Sequence, residues 1–351
     1  MAARIVETIG AEGFGSYRFE WTQGGPSLER VSQASDGLLV PGFVDIHCHG
    51  AFGIDLMTAP VLEIEHLCTR LEREGYDAFL PTTVTASARE ILDFLNRMPE
   101  SAMIPGIHME GPFISPKYPG AQPPSAIVDP PYRPSEWDEV LDHPRLKLVT
   151  LAPERPNAPD LILRLQKRGV VVSMGHTDAT YDEARHGFEF GATHLTHTYN
   201  AMRGLHHREA GMVGYALLNV GLKCELIYDR LHVCFEAAKL LIQHKGMEGV
   251  IGVSDSTMAT GMPPGQRITM WGLECITGKN EVRLADSGAL AGSAVTLREV
   301  FLNLWEDFGP ELAIRACSLN PRKAIGHLNP PRLWLEFDRE RNLREVHHVG
   351  A

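Results

Sequence analysis

Pro41-Gly42-Phe43-Val44-Asp45-Ile46-His47-Cys48-His49-Gly50 decides how the rest of the chain is read. Phe43, Val44 and Ile46 make an apolar strand that runs into two histidines spaced i, i+2. Side chains alternate across a strand, so His47 and His49 share a face at the carboxyl end of a buried strand. Two imidazoles aimed together suit a borderline-soft divalent metal such as zinc. A solvated strand end looks the same over so short a stretch, so the remaining ligands must come from elsewhere.

Outward from this strand, short apolar runs alternate with amphipathic helices, the pattern of β/α units and a parallel sheet. Eight runs are read as strands: Phe43–His47, Ala78–Thr83, Ile104–Glu110, Leu146–Leu151, Val170–His176, Ala192–His197, Leu222–Tyr228 and Gly249–Ser254. Between them, Val61–Glu74 places Ile64, Leu67, Cys68 and Leu71 on one helical face. Asn157 is expected to cap a helix over Pro159–Arg168. Thr180-x-x-Glu183 reads as a capping box. Further helices are expected over Phe235–His244 and Val295–Phe308. Eight parallel strands with intervening helices fit an α/β fold of the TIM-type (β/α) barrel, expected over residues 41–326. Short strands near the start (Arg4–Thr8, Ser16–Trp21, Leu38–Val40) and the end (Arg332–Asp338, Arg344–Val349) point to a small β-domain built from residues 1–40 plus 327–351.

In such a barrel the chemistry sits at the carboxyl ends of the strands. The third run ends His108-Met109-Glu110, the fifth Gly175-His176, the sixth His197-Thr198-Tyr199-Asn200, and the eighth Ser254-Asp255. Each alone has a plain alternative, a buried hydrogen-bonded side chain. For His108 and His194 that alternative is preferred. Agreement among five strand ends argues for a divalent metal site. Bulk composition narrows the rest. With 351 residues and 44% hydrophobic content the chain can build a barrel-sized core. A net charge of −11 argues against nucleic acid or a membrane surface as partner. No basic-then-apolar leader opens the chain and no apolar run is long enough to span a bilayer. The six cysteines are scattered without a C-x-x-C, so a reduced, cytoplasmic setting is expected.

Specific blocks then carry a resemblance. PGFVDIHCHG, GIHMEGPF, VVVSMGHTDATYDEA, THLTHTYNAM, the arginine of HHREAG, LHV after an Asp, GVSDST, DSGALAGSAVTL and LNPRKAIG occur in family order. The chain resembles the amidohydrolase superfamily and, within it, the N-acetylglucosamine-6-phosphate deacetylases. The H-x-H pair and the final Asp are shared across the superfamily; the M-E-G-P-F and T-H-T-Y-N-A-M blocks are far more specific. By this resemblance Glu110, His176 and His197 hold a principal metal. His47 and His49 join Glu110 and Asp255 around a second, so one or two ions are expected, zinc first and iron as the alternative.

The implied reaction removes the acetyl group of N-acetylglucosamine 6-phosphate, giving glucosamine 6-phosphate and acetate. A bound divalent ion lowers the pKa of its water to about 7 and polarises a carbonyl. Asp255 is expected to take the proton from that water and pass it to the leaving amine. His232 is expected near the acetyl carbonyl or the sugar, a solvated loop histidine being the plain alternative. Asn200 and Ala201 follow the sixth strand, where backbone N–H groups can meet a phosphate. Arg208 resembles the family arginine that reaches the phosphate in the neighbouring subunit, which implies a homodimer. Three departures fall on the substrate side: Gln122 where a histidine is common, Ala210 where the family has proline, and Arg230 where it often has glycine. Gln122 can hydrogen-bond but carries no charge. Arg230 is read as a candidate pocket residue. Alternatives are N-acetylgalactosamine 6-phosphate or another N-acyl amine as substrate, a catalytically silent scaffold, and a phosphoesterase.

Overall fold

The computed structural model describes residues 4–350. All eight expected runs form strands of one parallel sheet, in sequence order around it. They are β1 (Phe43–Cys48), β2 (Tyr76–Thr83), β3 (Ile107–Glu110), β4 (Leu146–Leu151), β5 (Val171–Met174), β6 (His194–Leu195), β7 (Lys223–Leu226) and β8 (Val250–Gly252). β1 and β2 are buried along their whole length, which explains their near-continuous apolar reading. Beyond β8 the chain crosses back to β1. Asp255 N donates to His47 O at 3.0 Å, and His49 N donates to Ser256 O at 2.8 Å. The last gap of the TIM-type barrel is therefore bridged at the rim where the histidines lie.

The helices follow their periodicity. The helix Val61–Arg73 buries Ile64, Leu67, Cys68 and Leu71, the four residues of its expected face. Thr180 caps Tyr181–Glu189 with both capping-box bonds present. Leu297–Phe308 buries Leu297, Val300, Phe301 and Leu304. Asn157 is a correction: it stands just before the helix Ala158–Lys167 but makes no side-chain cap. Its φ is 60° and its amide donates instead to Pro131 O at 2.6 Å, tying a loop down.

Two sheets flank the barrel. One has six strands, in the spatial order 343–348, 333–338, 37–41, 4–10, 13–22, 25–30. It pairs the two ends of the chain through Leu333–Asp338 running antiparallel to Gly37–Pro41. The other is a four-stranded antiparallel sheet over Arg267–Met270, Leu273–Thr277, Glu281–Leu284 and Leu290–Ser293. Sequence reading gave no hint of it, because its strands are four or five residues long and only partly apolar. It is inserted after β8 and is tied to the rim by Ser293 N donating to Asp255 O at 2.8 Å.

Candidate metal centre

A polar layer crosses the barrel just below the rim. His108 Nε2 meets Thr150 Oγ1 at 2.8 Å; Thr150 Oγ1 meets Thr196 Oγ1 at 2.7 Å; Ser173 Oγ meets Thr196 Oγ1 at 2.6 Å. His108 is thus a buried, hydrogen-bonded core histidine, and burial drives its basicity well below the ordinary range. His194 is also a buried strand residue, in register with Ser173 on β5, and its Nδ1 meets Thr193 Oγ1 at 2.8 Å. Above this layer the chain must turn sharply to aim side chains inward. His176, His197 and Asp255 all have positive φ, at 45°, 27° and 49°. Such strained backbone in non-glycine residues clusters where a site demands it. Gly175 permits the turn after β5: a Cβ there would lie 2.7 Å from Thr196 Cβ.

Six side chains converge above the layer, all buried: His47, His49, Glu110, His176, His197 and Asp255. They form two overlapping clusters, His47–His49–Glu110 and Glu110–His176–His197. Glu110 straddles them. Its Oε1 lies 3.2 Å from His176 Nε2 and 3.1 Å from His197 Nε2, and its Oε2 lies 3.2 Å from His49 Nε2. Asp255 Oδ1 sits beside the first cluster, 3.4 Å from His47 Nε2 and 3.3 Å from His49 Nε2.

Tautomers decide whether this set suits a cation. His49 Nδ1 faces Thr82 O at 3.2 Å, His176 Nδ1 faces Tyr118 O at 2.9 Å, and His197 Nδ1 faces Asn200 O at 3.2 Å. A carbonyl oxygen only accepts, so each Nδ1 carries a proton, and in the neutral ring each Nε2 presents a lone pair. His47 Nδ1 faces the carboxylate of Glu225 at 3.1 Å, with the same consequence. The lone pairs then oppose one another: His47 Nε2 and His49 Nε2 at 3.2 Å, His176 Nε2 and His197 Nε2 at 3.1 Å. Lone pairs face each other at that distance only when something positive lies between them. The donor set, imidazole and carboxylate, fits a divalent transition metal.

The electrostatics agree. Burial alone would raise the Glu110 carboxyl, but His47 and His176 outweigh it and hold it well below the ordinary range. Asp255 is likewise lowered against its burial by His47 and His49. In return the two carboxylates overcome the desolvation of His49 and lift it to about 9. A buried place that holds positive charge this firmly is prepared for a cation.

A pocket of ≈ 140 Å³ opens over the centre. His49, Glu110, Gln122, His176, His197, Asn200, Ala201, His232 and Asp255 line it, together with Trp271, Leu290 and Gly292 from the four-stranded sheet. His232 is no solvated loop residue. Its Nδ1 binds Asp229 Oδ2 at 2.6 Å, leaving Nε2 toward the pocket side of the ring. Gln122, expected as a substrate contact, has both ends engaged. Its amide donates to Glu110 Oε2 at 2.6 Å, and its oxygen accepts from Thr85 N at 2.6 Å. Arg208 is exposed, does not line this pocket, and meets His207 Nε2 at 3.0 Å. Arg230 is corrected: its guanidinium pairs with Glu306 and Asp307, each at 2.8 Å, and not with the pocket.

Sequence reading missed Glu225, Trp271, Leu290 and Gly292. A carboxylate in the middle of the run Leu222–Tyr228, flanked by Cys224 and Leu226, was the available signal for Glu225. Trp271 had none: it stands at a hairpin tip with φ 53° and packs edge-on against His49 at 5.3 Å.

A parallel β/α barrel with histidine and carboxylate ligands at its carboxyl rim defines the metal-dependent amidohydrolase class. The Amidohydrolase family model matches residues 38–328. The chain is 37% identical over 290 residues to N-acetylglucosamine-6-phosphate deacetylase of Bacillus subtilis, covering 78% of this chain and 71% of that protein. It is 36% identical over 307 residues to N-acetylgalactosamine-6-phosphate deacetylase of Escherichia coli, covering 84% and 80%. Among solved structures, N-acetylglucosamine-6-phosphate deacetylase from Thermotoga maritima superposes with a TM-score of 0.89 at 30% identity, covering 100% of this chain and 98% of that one. A mutant of the Mycobacterium smegmatis deacetylase in complex with N-acetyl-D-glucosamine-6-phosphate superposes at 0.88 with 28% identity, covering 100% and 99%. The chain belongs to the amidohydrolase family, in its N-acetylglucosamine-6-phosphate deacetylase branch.

Proposed function

We propose that this protein hydrolyses the acetamide of N-acetylglucosamine 6-phosphate, giving glucosamine 6-phosphate and acetate. The convergence of Asp255 with four imidazoles and Glu110 under one small pocket carries the reading. Glu110, His176 and His197 would hold a principal ion; His47 and His49, with Glu110 and Asp255, would hold a second. Zinc suits these donors best, with iron as the alternative. A divalent ion bound there supplies Lewis-acid chemistry, acidifying water and polarising an amide carbonyl. Asp255 removes the proton of the attacking water and returns it to the amine, which cannot leave as an anion. A carboxyl held below its ordinary pKa starts the cycle deprotonated, as a base must.

On the substrate side, His232 is held by Asp229 with its ring at the pocket wall, placed to donate to the acyl oxygen or the sugar. Asn200 and Ala201 offer the polar wall for the phosphate. Arg208 lies outside its own pocket, which favours its use in the pocket of a second subunit of a homodimer. Gln122 lines the pocket and donates to Glu110, so it can act on substrate through that carboxylate as well as at the pocket wall. Six free cysteines, five of them buried, support a reducing, cytoplasmic setting. Among the described residues no helix is long and apolar enough to cross a membrane.

Acetate release from N-acetyl amino sugars, with and without the 6-phosphate, tests the reading. Turnover confined to the phosphorylated sugars is expected, and inorganic phosphate as product would overturn it. Asp255→Asn should lower kcat by about 10²–10⁴-fold with the ion at Glu110, His176 and His197 retained. Arg208→Ala should raise KM at least tenfold on the phosphorylated sugar alone, the loss of one charged hydrogen bond of about 1.5–3 kcal/mol. A second reading, N-acetylgalactosamine 6-phosphate as substrate, is favoured by the 36% identity to the Escherichia coli enzyme and is decided by the same panel. A silent scaffold is disfavoured because all six site residues are present and converge.

A further inference from the structure

Glu225 lies on β7 with a side chain that is 0% exposed. Its Oε2 accepts from His47 Nδ1 at 3.1 Å and from the backbone N–H of His197 at 3.2 Å, while Oε1 has no partner. One oxygen therefore touches both halves of the centre: the ring of His47 and the main chain that aims His197. The four imidazoles are not held alike. His49, His176 and His197 give their Nδ1 protons to backbone carbonyls, and His47 gives its proton to a carboxylate. A carbonyl orients a ring. A carboxylate also increases the electron density at the opposite nitrogen, which makes the imidazole a stronger ligand. Burying a carboxylate costs several kcal/mol unless it is well partnered, and the partners of Oε2 are His47 Nδ1 and the His197 N–H.

We infer that Glu225 is a positioning residue for His47: it sets the Nδ1–H form of the ring, turns Nε2 into the His47–His49–Glu110 cluster, and makes retention of a second ion there depend on β7. The inference rests on the ligand set proposed above. Its charge effect is local to His47, because His197 receives only a main-chain hydrogen bond that a neutral amide oxygen at position 225 also accepts.

Zn²⁺ titrated into metal-stripped protein, followed by calorimetry and chelator competition, tests it. The unaltered protein should bind two ions. Glu225→Gln should weaken one by about 10–100-fold and leave the other within about twofold. His47→Ala should lose the same ion, and the double variant should be no worse than His47→Ala alone. Equal weakening of both ions, additive losses in the double variant, or a single ion in the unaltered protein would each overturn the role of Glu225. Absence of any zinc binding would instead remove the ligand set on which it rests. Should Glu225→Gln fail to fold, histidine ¹⁵N spectra of the unaltered zinc-loaded protein decide: a protonated His47 Nδ1 is expected, and a protonated Nε2 overturns the inference.

Discussion

The histidines of this chain show how one side chain takes opposite characters from its surroundings. His49 is lifted to about 9 by the carboxylates beside it, although burial works against that. His194, three residues from His197, is pushed down to about 4 by burial and by Lys223 nearby. Its Nδ1 meets Thr193 Oγ1 at 2.8 Å and its Nε2 has no partner. This histidine is held neutral in the fold. The unfolded chain takes up a proton there below about pH 6.5 and the folded chain does not until about 4. Stability is therefore complete above pH 6.5 and declines as pH falls through that window. The shift corresponds to on the order of 3 kcal/mol at pH 4. Denaturant melts from pH 7 to 4 should show a shallower acid decline in His194→Gln than in the unaltered protein. Parallel curves would remove His194 as the cause.

At the scale of elements, local chemistry and tertiary demand divide the caps between them. Thr180 and Glu183 cap Tyr181–Glu189 reciprocally, with Thr180 N donating to Glu183 Oε2 at 2.8 Å and Glu183 N donating to Thr180 Oγ1 at 3.3 Å. All atoms involved lie within four residues, so the sequence was enough to read it. Thr180→Ala should cost about 1 kcal/mol in a thermal or denaturant melt and leave kcat unchanged; a change in kcat would mean that this helix reports to the site. Asn157 looked equally suitable, but a partner 26 residues away in sequence claimed its side chain. β6 shows the same competition. Its run was read through to His197, yet only His194 and Leu195 pair as strand, because the residues after them bend to bring His197 Nε2 against Glu110.

For the whole molecule, the joint between the barrel and the six-stranded sheet rests on a buried ionic knot. Asp77 on β2 is fully buried and pairs with Arg322, and its Oδ1 accepts from Arg332 N at 2.8 Å. Phe301 on the outer helix spans the same joint, 4.9 Å from Phe43 and 5.4 Å from Phe337 between ring centroids. Removing one partner of a buried pair leaves the other charge uncompensated, at a cost of about 3–5 kcal/mol. Arg322→Ala should lower the unfolding free energy by that amount in a denaturant melt. It should also destabilise the barrel and the chain ends together in hydrogen exchange. A loss confined to residues 333–348 would show that the sheet is held to the barrel by other contacts.

Much of the barrel was legible because it follows from local pattern: alternating apolar runs and helices, and histidines or carboxylates where the runs stop. The cluster of His47, His49, Glu110, His176, His197 and Asp255 was legible for the same reason, since a strand's direction tells where its last side chains point. Glu225 and Trp271 were not, because their meaning comes from neighbours far along the chain, His47 for the first and His49 for the second. Gln122 and Arg230 were placed near the substrate by their neighbours in sequence, and the fold gave each a different partner, Glu110 and the Glu306–Asp307 pair. The sequence by itself determined which residues stand at the rim of which strand, because period and direction are local properties of the backbone. Only the tertiary structure decided which nitrogen of each imidazole faces the centre, because that depends on the acceptor that the rest of the fold places behind the ring.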